Sequence, residues 1–239
     1  MREFRRRLLR WFARHGRDLP WRRTRNPYHV LVSEIMLQQT PVARVEGYYH
    51  RFLAHYPTVH ALADAAPAAV RESWQGLGYY RRAANLHALA REVVSTQRGV
   101  IPADPAELVR LPGIGRYTAG AVACFAYERA TPAVDTNVAR VLRRAFHPRL
   151  GRAGAERRLW ETAARLVPRA GHAAWSFNQA IMELGAVICT ARVARCGECP
   201  VRQVCRTGRR TDGALTPTRI VSSPRPAAPP GRVSPQSSR

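Results

Sequence analysis

Short amphipathic segments make up most of the chain, with apolar residues recurring every three or four positions between Pro- or Gly-containing breaks. This spacing is typical of helices, whereas the alternation of strands is scarce. The pattern therefore predicts an all-α protein. After a basic amphipathic helix over Met1–Arg10, the predicted helices are Tyr28–Leu37, Pro41 to about His55, Val59–Ala65, Ala68–Gln75, Tyr79–Arg98, Ala106–Arg110, Tyr117–Ala126, Thr136–Phe146, Glu156–Val167 and Ala174–Ile188.

Two Pro-containing dipeptides predict where helices begin. Pro27 follows Asn26 and opens the first apolar helix, because the N–H that Pro lacks would be unpaired in the first turn. That helix is apolar nearly all round, so we expect it to be buried. Thr40-Pro41 is interpreted as an N-cap followed by a first-turn Pro.

The net charge says more about function than the hydrophobic content does. The 239 residues, 46% of them hydrophobic, fit one or two globular domains. The basic residues number 39 against 16 acidic ones, which gives a net charge of +23. Such an excess favours a polyanionic partner, nucleic acid first and an acidic membrane surface second. Every basic residue is Arg, so no side chain can form a lysine imine.

Neither end of the given sequence is predicted to be a membrane or secretion signal. The first ten residues are Arg-rich, which faintly resembles a transit peptide, but they lack the apolar stretch of a secretory signal. No run approaches the roughly 18 apolar residues of a membrane span. Residues 206–239 are rich in Pro and Ser and carry seven Arg and one Asp. This composition predicts a disordered basic tail.

Four of the five cysteines lie within 17 residues, which predicts a metal site in a reducing compartment. The spacing alone leaves zinc and an iron–sulfur cluster equally open, with two disulfides as a third alternative. Arg192 and Arg195 lie in the first interval, so a metal would brace a basic loop able to contact phosphate. Cys124 stands apart and is interpreted as a core residue. The four clustered residues are Cys189, Cys196, Cys199 and Cys205.

A Gly-containing turn lies between two short predicted helices at 111–115. Gly113 and Gly115 permit a tight turn after Leu111, and N–H groups in such a turn can bind an anion. The expected ligand is phosphate. The alternative is that the turn belongs to an ordinary helix–turn–helix hairpin that binds no ligand.

Two carboxylates in unlike surroundings form a candidate catalytic pair. Glu34 lies in the apolar helix, where burial should raise its pKa. Asp135 precedes a helix, where N–H groups should keep it ionised. One protonated and one charged carboxyl is the pattern of glycosidic-bond cleavage. The alternatives are that Asp135 is only a helix cap and that Glu34 pairs with an Arg.

Taken together, these motifs resemble the endonuclease III-like DNA glycosylases of the helix-hairpin-helix superfamily, and most of all their adenine glycosylases. The resemblance covers residues 4 to 205. It rests on the segments 19–22 (LPWR), 33–41 (SEIMLQQTP), 76–80 (GLGYY), 111–115 (LPGIG), 134–137 (VDTN), 177–179 (FNQ) and the cysteine run.

The resemblance implies a six-helix domain containing the hairpin and a second, helical domain holding a [4Fe–4S] cluster on the four cysteines. By position, residues 1–21 would belong to the cluster domain, 22–128 to the six-helix domain, 129–205 to the cluster domain and 206–239 to the tail. The larger adenine glycosylases carry a C-terminal domain that reads 8-oxoguanine, and the tail is too short and Pro-rich to form one. Opposite-base recognition is then expected to depend on the core.

The resemblance also implies residue roles. Glu34 would protonate adenine, and Asp135 would stabilise the sugar cation, supported by Tyr117 and Asn137. Gln39 and Tyr79, the wedge residues, would enter the duplex near the opposite base. The implied adenine pocket is Trp21, Arg22, Leu37 and Gln179, and the other implied DNA contacts are Gln38, Thr40, Leu111, Gly113, Gly115, Arg192 and Arg195.

Two departures qualify the resemblance. Bifunctional relatives carry a nucleophilic Lys where this chain has Tyr117, which implies hydrolysis without strand nicking. Thr136, often Gly in relatives, lies beside Asp135. The expected partner is double-stranded DNA with adenine opposite guanine or 8-oxoguanine. The protein is expected to be a monomer in the bacterial cytoplasm, associated with the nucleoid and not with a membrane.

Two other functions compete with adenine release. A thymine or uracil mismatch glycosylase can also place Tyr at the hairpin position, but residues 38–40 (QQT) favour adenine. A non-catalytic DNA-binding homologue would need neither Glu34 nor Asp135, so the presence of both argues against it.

Overall fold

The computed structural model describes residues 1–213, and the part of the chain that it describes is helical, which confirms the all-α prediction. Its α-helices are α1 Arg2–His15, α2 Pro27–Met36, α3 Val42–His55, α4 Val59–Asp64, α5 Pro67–Ser73, α6 Arg81–Gln97, α7 Pro105–Leu108, α8 Arg116–Tyr127, α9 Thr136–Phe146, α10 Ala155–Leu166 and α11 Gly171–Val187. Short 3₁₀ turns follow α11. Most of the predicted tail lies outside the described residues, but the described chain runs past the predicted boundary at 206 to Gly213.

Helix ends agree with the sequence at α2 and differ at α3. The Asn26 side chain accepts hydrogen bonds from the N–H groups of Tyr28 and His29, which caps α2. The prediction of Thr40 as the cap of α3 was wrong, because Pro41 occupies that position. The Thr40 hydroxyl is instead hydrogen bonded to the guanidinium of Arg82 (3.0 Å).

Helix α2 lies at the centre of the core, as its apolar sequence predicts. It packs against α3, α6 and α8. Leu31, Val32 and Met36 are completely buried. Burying a side chain of this kind contributes about 1.5–3 kcal/mol to the stability of the fold. A helix held on so many sides is a rigid support for any polar side chain that it carries.

Helix α11 connects the N-terminal helix to the C-terminal half of the chain. It packs against α1, α8 and α9, while α10 packs on α9. The N-terminal helix thus joins the C-terminal helices in space. The domain boundaries at 21, 128 and 205 stay predictions.

Candidate active site

A cleft of about 700 Å³ opens between the C-terminal end of α2, the N-terminal ends of α8 and α9, and one face of α11. It brings together predicted site residues that are up to 158 positions apart, from Trp21 to Gln179. The predicted site residues that line it are Trp21, Arg22, Glu34, Leu37, Gln38, Gln39, Thr40, Tyr117, Asp135, Asn137 and Gln179.

Glu34 projects from α2 into this cleft and is only 4% exposed. The hydroxyl of Tyr117 donates a hydrogen bond to Oε2 of Glu34 (2.7 Å). Burial is the main reason that the pKa of Glu34 rises to about 7, and the charge of Asp135 raises it further. The Tyr117 hydrogen bond and the charge of Arg22 act in the opposite direction. The carboxyl is thus poised to give up a proton near neutral pH.

Asp135 is the N-cap of α9. Its carboxylate accepts hydrogen bonds from the Val138 N–H (2.6 Å) and the Asn137 side-chain amide (2.9 Å). These bonds stabilise the anion, as expected, but burial outweighs them and raises the pKa of Asp135 above its ordinary value. Burial thus opposes the effect of the helix start, and the ionised state of Asp135 stays a prediction.

An ion pair between the N-terminal segment and α11 closes one side of the cleft. Glu183 is completely buried and bonds to Arg17 (2.6 Å) and Arg22 (2.7 Å). Arg22 also donates to the side-chain oxygen of Gln179 (2.7 Å). Burial raises the pKa of Glu183, but the two arginines together lower it below its ordinary value. Sequence reasoning missed Glu183, which fixes two predicted pocket residues.

The wedge residues lie on two loops joined by one buried arginine. Gln39 (φ 57°) and Tyr79 (φ 50°) both adopt the left-handed conformation. The guanidinium of Arg82 donates to the carbonyls of Gln38 (2.5 Å) and Gly78 (3.1 Å), each directly before a wedge residue. It also donates to the carbonyls of residues 35, 36 and 77. Tyr79 is 61% exposed and lies outside the cleft.

The hairpin joins α7 to α8 and has the predicted tight turn. Gly113 has φ 76°, and a Cβ there would lie 2.7 Å from the Cβ of Asn85, so only Gly fits. Gly113 and Gly115 are exposed, whereas Leu111 is buried. Leu111 therefore supports the turn from inside, and an anion would meet the backbone of the two glycines.

The four clustered cysteines line one cavity beside α9 and the end of α11. Burial raises the pKa of Cys199 to about 12 and that of Cys205 above its ordinary value, and the other cysteines raise both further. Thiolates here would need a bound cation. Among the described residues, no group of three or more His, Cys, Asp or Glu is already arranged to hold a metal ion. Cys124 is buried in α8, as predicted.

Arg140 connects the catalytic end of α9 with the cysteine segment. Its guanidinium donates to the side-chain oxygen of Asn137 (2.7 Å) and to the carbonyls of Gly185 (2.7 Å) and Cys189 (2.8 Å). Asn137 in turn donates to Asp135. A continuous set of hydrogen bonds therefore runs from the carboxylate to the backbone of the first cysteine.

Both predicted loop arginines, Arg192 and Arg195, lie on the surface. Arg195 forms an ion pair with Glu198 (3.5 Å) and donates to the Val187 carbonyl. Arg192 is exposed on the loop, and its contact with phosphate stays a prediction. Within the described residues no helix combines the length and apolarity needed to cross a membrane.

Curated adenine DNA glycosylases are similar to most of this chain. The adenine DNA glycosylase of Mycolicibacterium smegmatis is 49% identical over 195 residues, which is 81% of this chain and 66% of that protein. The adenine DNA glycosylase of Homo sapiens is 44% identical over 87% of this chain and 40% of its own length. The chain thus spans less than two thirds of the length of these relatives.

Solved structures show the same fold. A thermostable thymine-DNA glycosylase superposes with a TM-score of 0.80 at 31% identity, over 87% of this chain and 95% of its own. The structure of a trapped endonuclease III–DNA covalent intermediate superposes with a TM-score of 0.74 at 26% identity, again over 87% of this chain and 95% of its own. Residues 32–165, more than half of the chain, match the model of the HhH-GPD superfamily base excision DNA repair proteins. This span includes Glu34, the hairpin and Asp135, and the chain therefore belongs to the HhH-GPD superfamily of base excision DNA repair proteins.

Proposed function

We propose that the chain hydrolyses the N-glycosidic bond of adenine mispaired with guanine or 8-oxoguanine in duplex DNA. One observation carries the proposal: a buried carboxyl with a pKa of about 7, Glu34, shares a cleft with the helix-capping carboxylate Asp135. This pair suits cleavage through a sugar cation. The identities of 44–49% to adenine DNA glycosylases support adenine as the base.

Glu34 acts as the general acid. Adenine leaves readily only when a ring nitrogen is protonated, because the departing base is then neutral. The protonated carboxyl supplies that proton from a site where Tyr117 fixes its orientation (2.7 Å). General acid catalysis contributes about 10²–10⁴-fold to the rate.

Asp135 opposes the positive charge that develops on the sugar as the bond to the base breaks. Its two oxygens are held by the Val138 N–H and the Asn137 amide, so it is positioned before the charge forms. Water then adds to the sugar carbon and releases a proton, which leaves an abasic site.

The cleft has room for a base rotated out of the duplex. Its volume of about 700 Å³ exceeds what a purine needs, and Trp21 and Leu37 offer apolar walls. Arg22 and Gln179 supply polar edges that are already oriented by Glu183. Rotation is required because the glycosidic bond is not accessible inside the stack.

The same proposal places a [4Fe–4S] cluster on Cys189, Cys196, Cys199 and Cys205. The raised thiol pKa values and the shared cavity fit a cationic iron–sulfur core. When bound, the cluster fixes the fold of the 189–205 segment and so holds Arg192 toward phosphate. The cysteine sulfurs already receive N–H donors, from Arg144 to Cys189 (3.3 Å) and from Gly208 to Cys205 (3.3 Å).

The proposed reaction ends at the abasic site. The 239 residues include no Lys, and Tyr117 occupies the position at which bifunctional relatives carry one. No side-chain amine is therefore available to form the imine that leads to strand nicking. The monomeric state, the bacterial nucleoid location and the recognition of the opposite base by the core stay predictions.

Thymine release is the second candidate, because the thymine-DNA glycosylase structure superposes so well. A panel of labelled duplexes with A·G, A·8-oxoguanine, T·G and U·G separates the two. Release from the two adenine duplexes alone, with strands intact until alkali is added, is the expected result. Release of thymine or uracil from T·G or U·G, without release of adenine, would show that the chain is a pyrimidine mismatch glycosylase. Release from none, by iron-loaded protein that binds DNA, would favour a non-catalytic homologue.

A further inference from the structure

A second cleft, of about 790 Å³, lies at the other end of α9 from Asp135. Its walls are the loop 147–150, the first turn of α10 and the segment 206–210. None of its lining residues lines the catalytic cleft. Since α9 has 11 residues and rises about 1.5 Å per residue, roughly 16 Å of helix separates the two clefts.

The cleft carries a concentrated positive charge. Five arginines line it and no Asp or Glu is among its described lining residues. The nearest ion pair, between Arg158 and Glu161, is long (3.8 Å) and exposed, so it neutralises little. The arginines are Arg149, Arg158, Arg206, Arg209 and Arg210.

His147 also lies in the cleft wall. Its ring is hydrogen bonded to the Thr162 hydroxyl (2.8 Å). Burial lowers the pKa of His147, and the charges of Arg158, Arg206 and Arg165 lower it further. The ring is therefore neutral at pH 7, and the arginines alone supply the charge.

The fold holds the backbone of the cleft in place. The segment after Cys205 is attached to the end of α9, where Arg206 donates to the Ala145 carbonyl (3.0 Å) and Thr207 to that of Arg144 (3.2 Å). The opposite wall is fixed by a hydrogen bond from Arg143 to the Leu150 carbonyl. Two walls with fixed spacing thus present the arginines toward each other.

We propose that this arginine cleft binds phosphates of the DNA backbone, at a distance from the rotated base. A guanidinium group can donate two parallel hydrogen bonds to the oxygens of one phosphate. Five arginines can therefore bind more than one phosphate. The cysteine segment that bears Arg192 ends at Cys205, directly before the cleft wall. The inference depends on DNA binding but not on which base is released.

The test uses Arg149→Gln/Arg209→Gln, a double variant with one change on each wall. Both side chains are exposed, so folding should be unaffected. The control is Arg2→Gln/Arg10→Gln on α1, two exposed arginines with the same change in net charge. Binding of the iron-loaded proteins to an uncleavable fluorescent duplex is measured between about 50 and 200 mM salt.

The cleft variant should lose about tenfold in affinity at low salt, and its slope of log K against log salt should flatten by about 1.8, at roughly 0.9 per phosphate. The control should keep most of the slope. An unchanged slope in the cleft variant overturns the proposal, as does an equal change in the control.

Two further probes identify the ligand. Stabilisation of the wild-type fold by inorganic phosphate, equal to that given by DNA and lost in the cleft variant, would show a free-anion site instead. Binding of an acidic peptide to the wild type, lost in the variant while DNA binding is kept, would show a protein-docking site. The wild type could release no adenine while the salt slope of the cleft variant flattened and that of the control did not. That result would refute the proposed function and still support phosphate binding by the arginine cleft.

Discussion

The catalytic cleft and the cysteine cavity lie on either side of α9 and are held together in different ways. In the cleft, protein groups bond to both carboxyl groups: Tyr117 donates to Glu34, and Asn137 to Asp135. In the cavity, Arg144 donates to the Cys189 sulfur, but burial raises the pKa values of Cys199 and Cys205, whose thiolates would need a bound cation. Changes in the cleft should therefore affect the chemistry, whereas changes in the cavity should affect the structure.

Glu34→Gln tests the first half of this comparison and should have the largest effect. The amide preserves the shape but cannot donate the proton, so single-turnover adenine release should fall by about 10²–10⁴-fold. DNA affinity should stay within about threefold of the wild type, because no phosphate contact is lost. Quench-flow rates and fluorescence anisotropy measure the two quantities.

The stability of the same variant provides its control. Since the folded pKa of Glu34 is raised to about 7, its stabilising contribution is complete below its ordinary value of 4.5 and is lost as the pH rises through about 7. Glu34→Gln should thus unfold at a higher temperature than the wild type at pH 8. A lower unfolding temperature, or near-normal release, would contradict the assigned role.

Cys199→Ala tests the second half. Loss of one ligand should remove most of the iron and lower the affinity for any duplex by about tenfold or more, because the loop that carries Arg192 loses its support. The matched control is Cys124→Ala, a buried cysteine in α8 that should keep its iron and its affinity. Iron analysis and anisotropy are the measurements. Stoichiometric zinc without iron in anaerobically prepared wild type would refute the cluster.

Arg140→Gln tests whether the two regions are separate. Arg140 holds both Asn137 and the Cys189 carbonyl, so its loss should loosen Asp135 and slow adenine release by about tenfold. Iron content and DNA affinity should change little. Arg10→Gln, which changes an exposed arginine on α1, is the control. A parallel fall of iron, affinity and rate would mean that Arg140 serves only the fold.

The smallest expected effect concerns the hydrogen bond between Tyr117 and Glu34. Adenine release needs the protonated carboxyl, so the rate should fall as the pH rises through about 7. The Tyr117 bond lowers the pKa of Glu34, and Tyr117→Phe should therefore move this decline to higher pH, with a several-fold change in rate at pH 7. Tyr127→Phe, outside the cleft, should keep the wild-type profile. A shift to lower pH would show that the bond acts on another group.

Local signals predicted more of this molecule than long-range contacts did. Asp135 at the start of α9 and the helix bounds Thr136–Phe146 were found as predicted, because capping and periodicity lie within a few residues. Arg82 and Glu183 could not be found in this way. Each is one charged residue in a helix, and its importance depends on loops and segments distant in the sequence.

The two left-handed wedge residues have a consequence for how sequence change would be tolerated. Positive φ costs a non-Gly side chain about 1 kcal/mol or more, so Gly at position 39 or 79 would relax the backbone. Selection for stability alone would thus favour Gly at both places and remove the side chains predicted to enter the duplex. Arg82 fixes the carbonyls that precede them, so the predicted wedge would exchange some folding stability for a rigid edge formed before DNA binds.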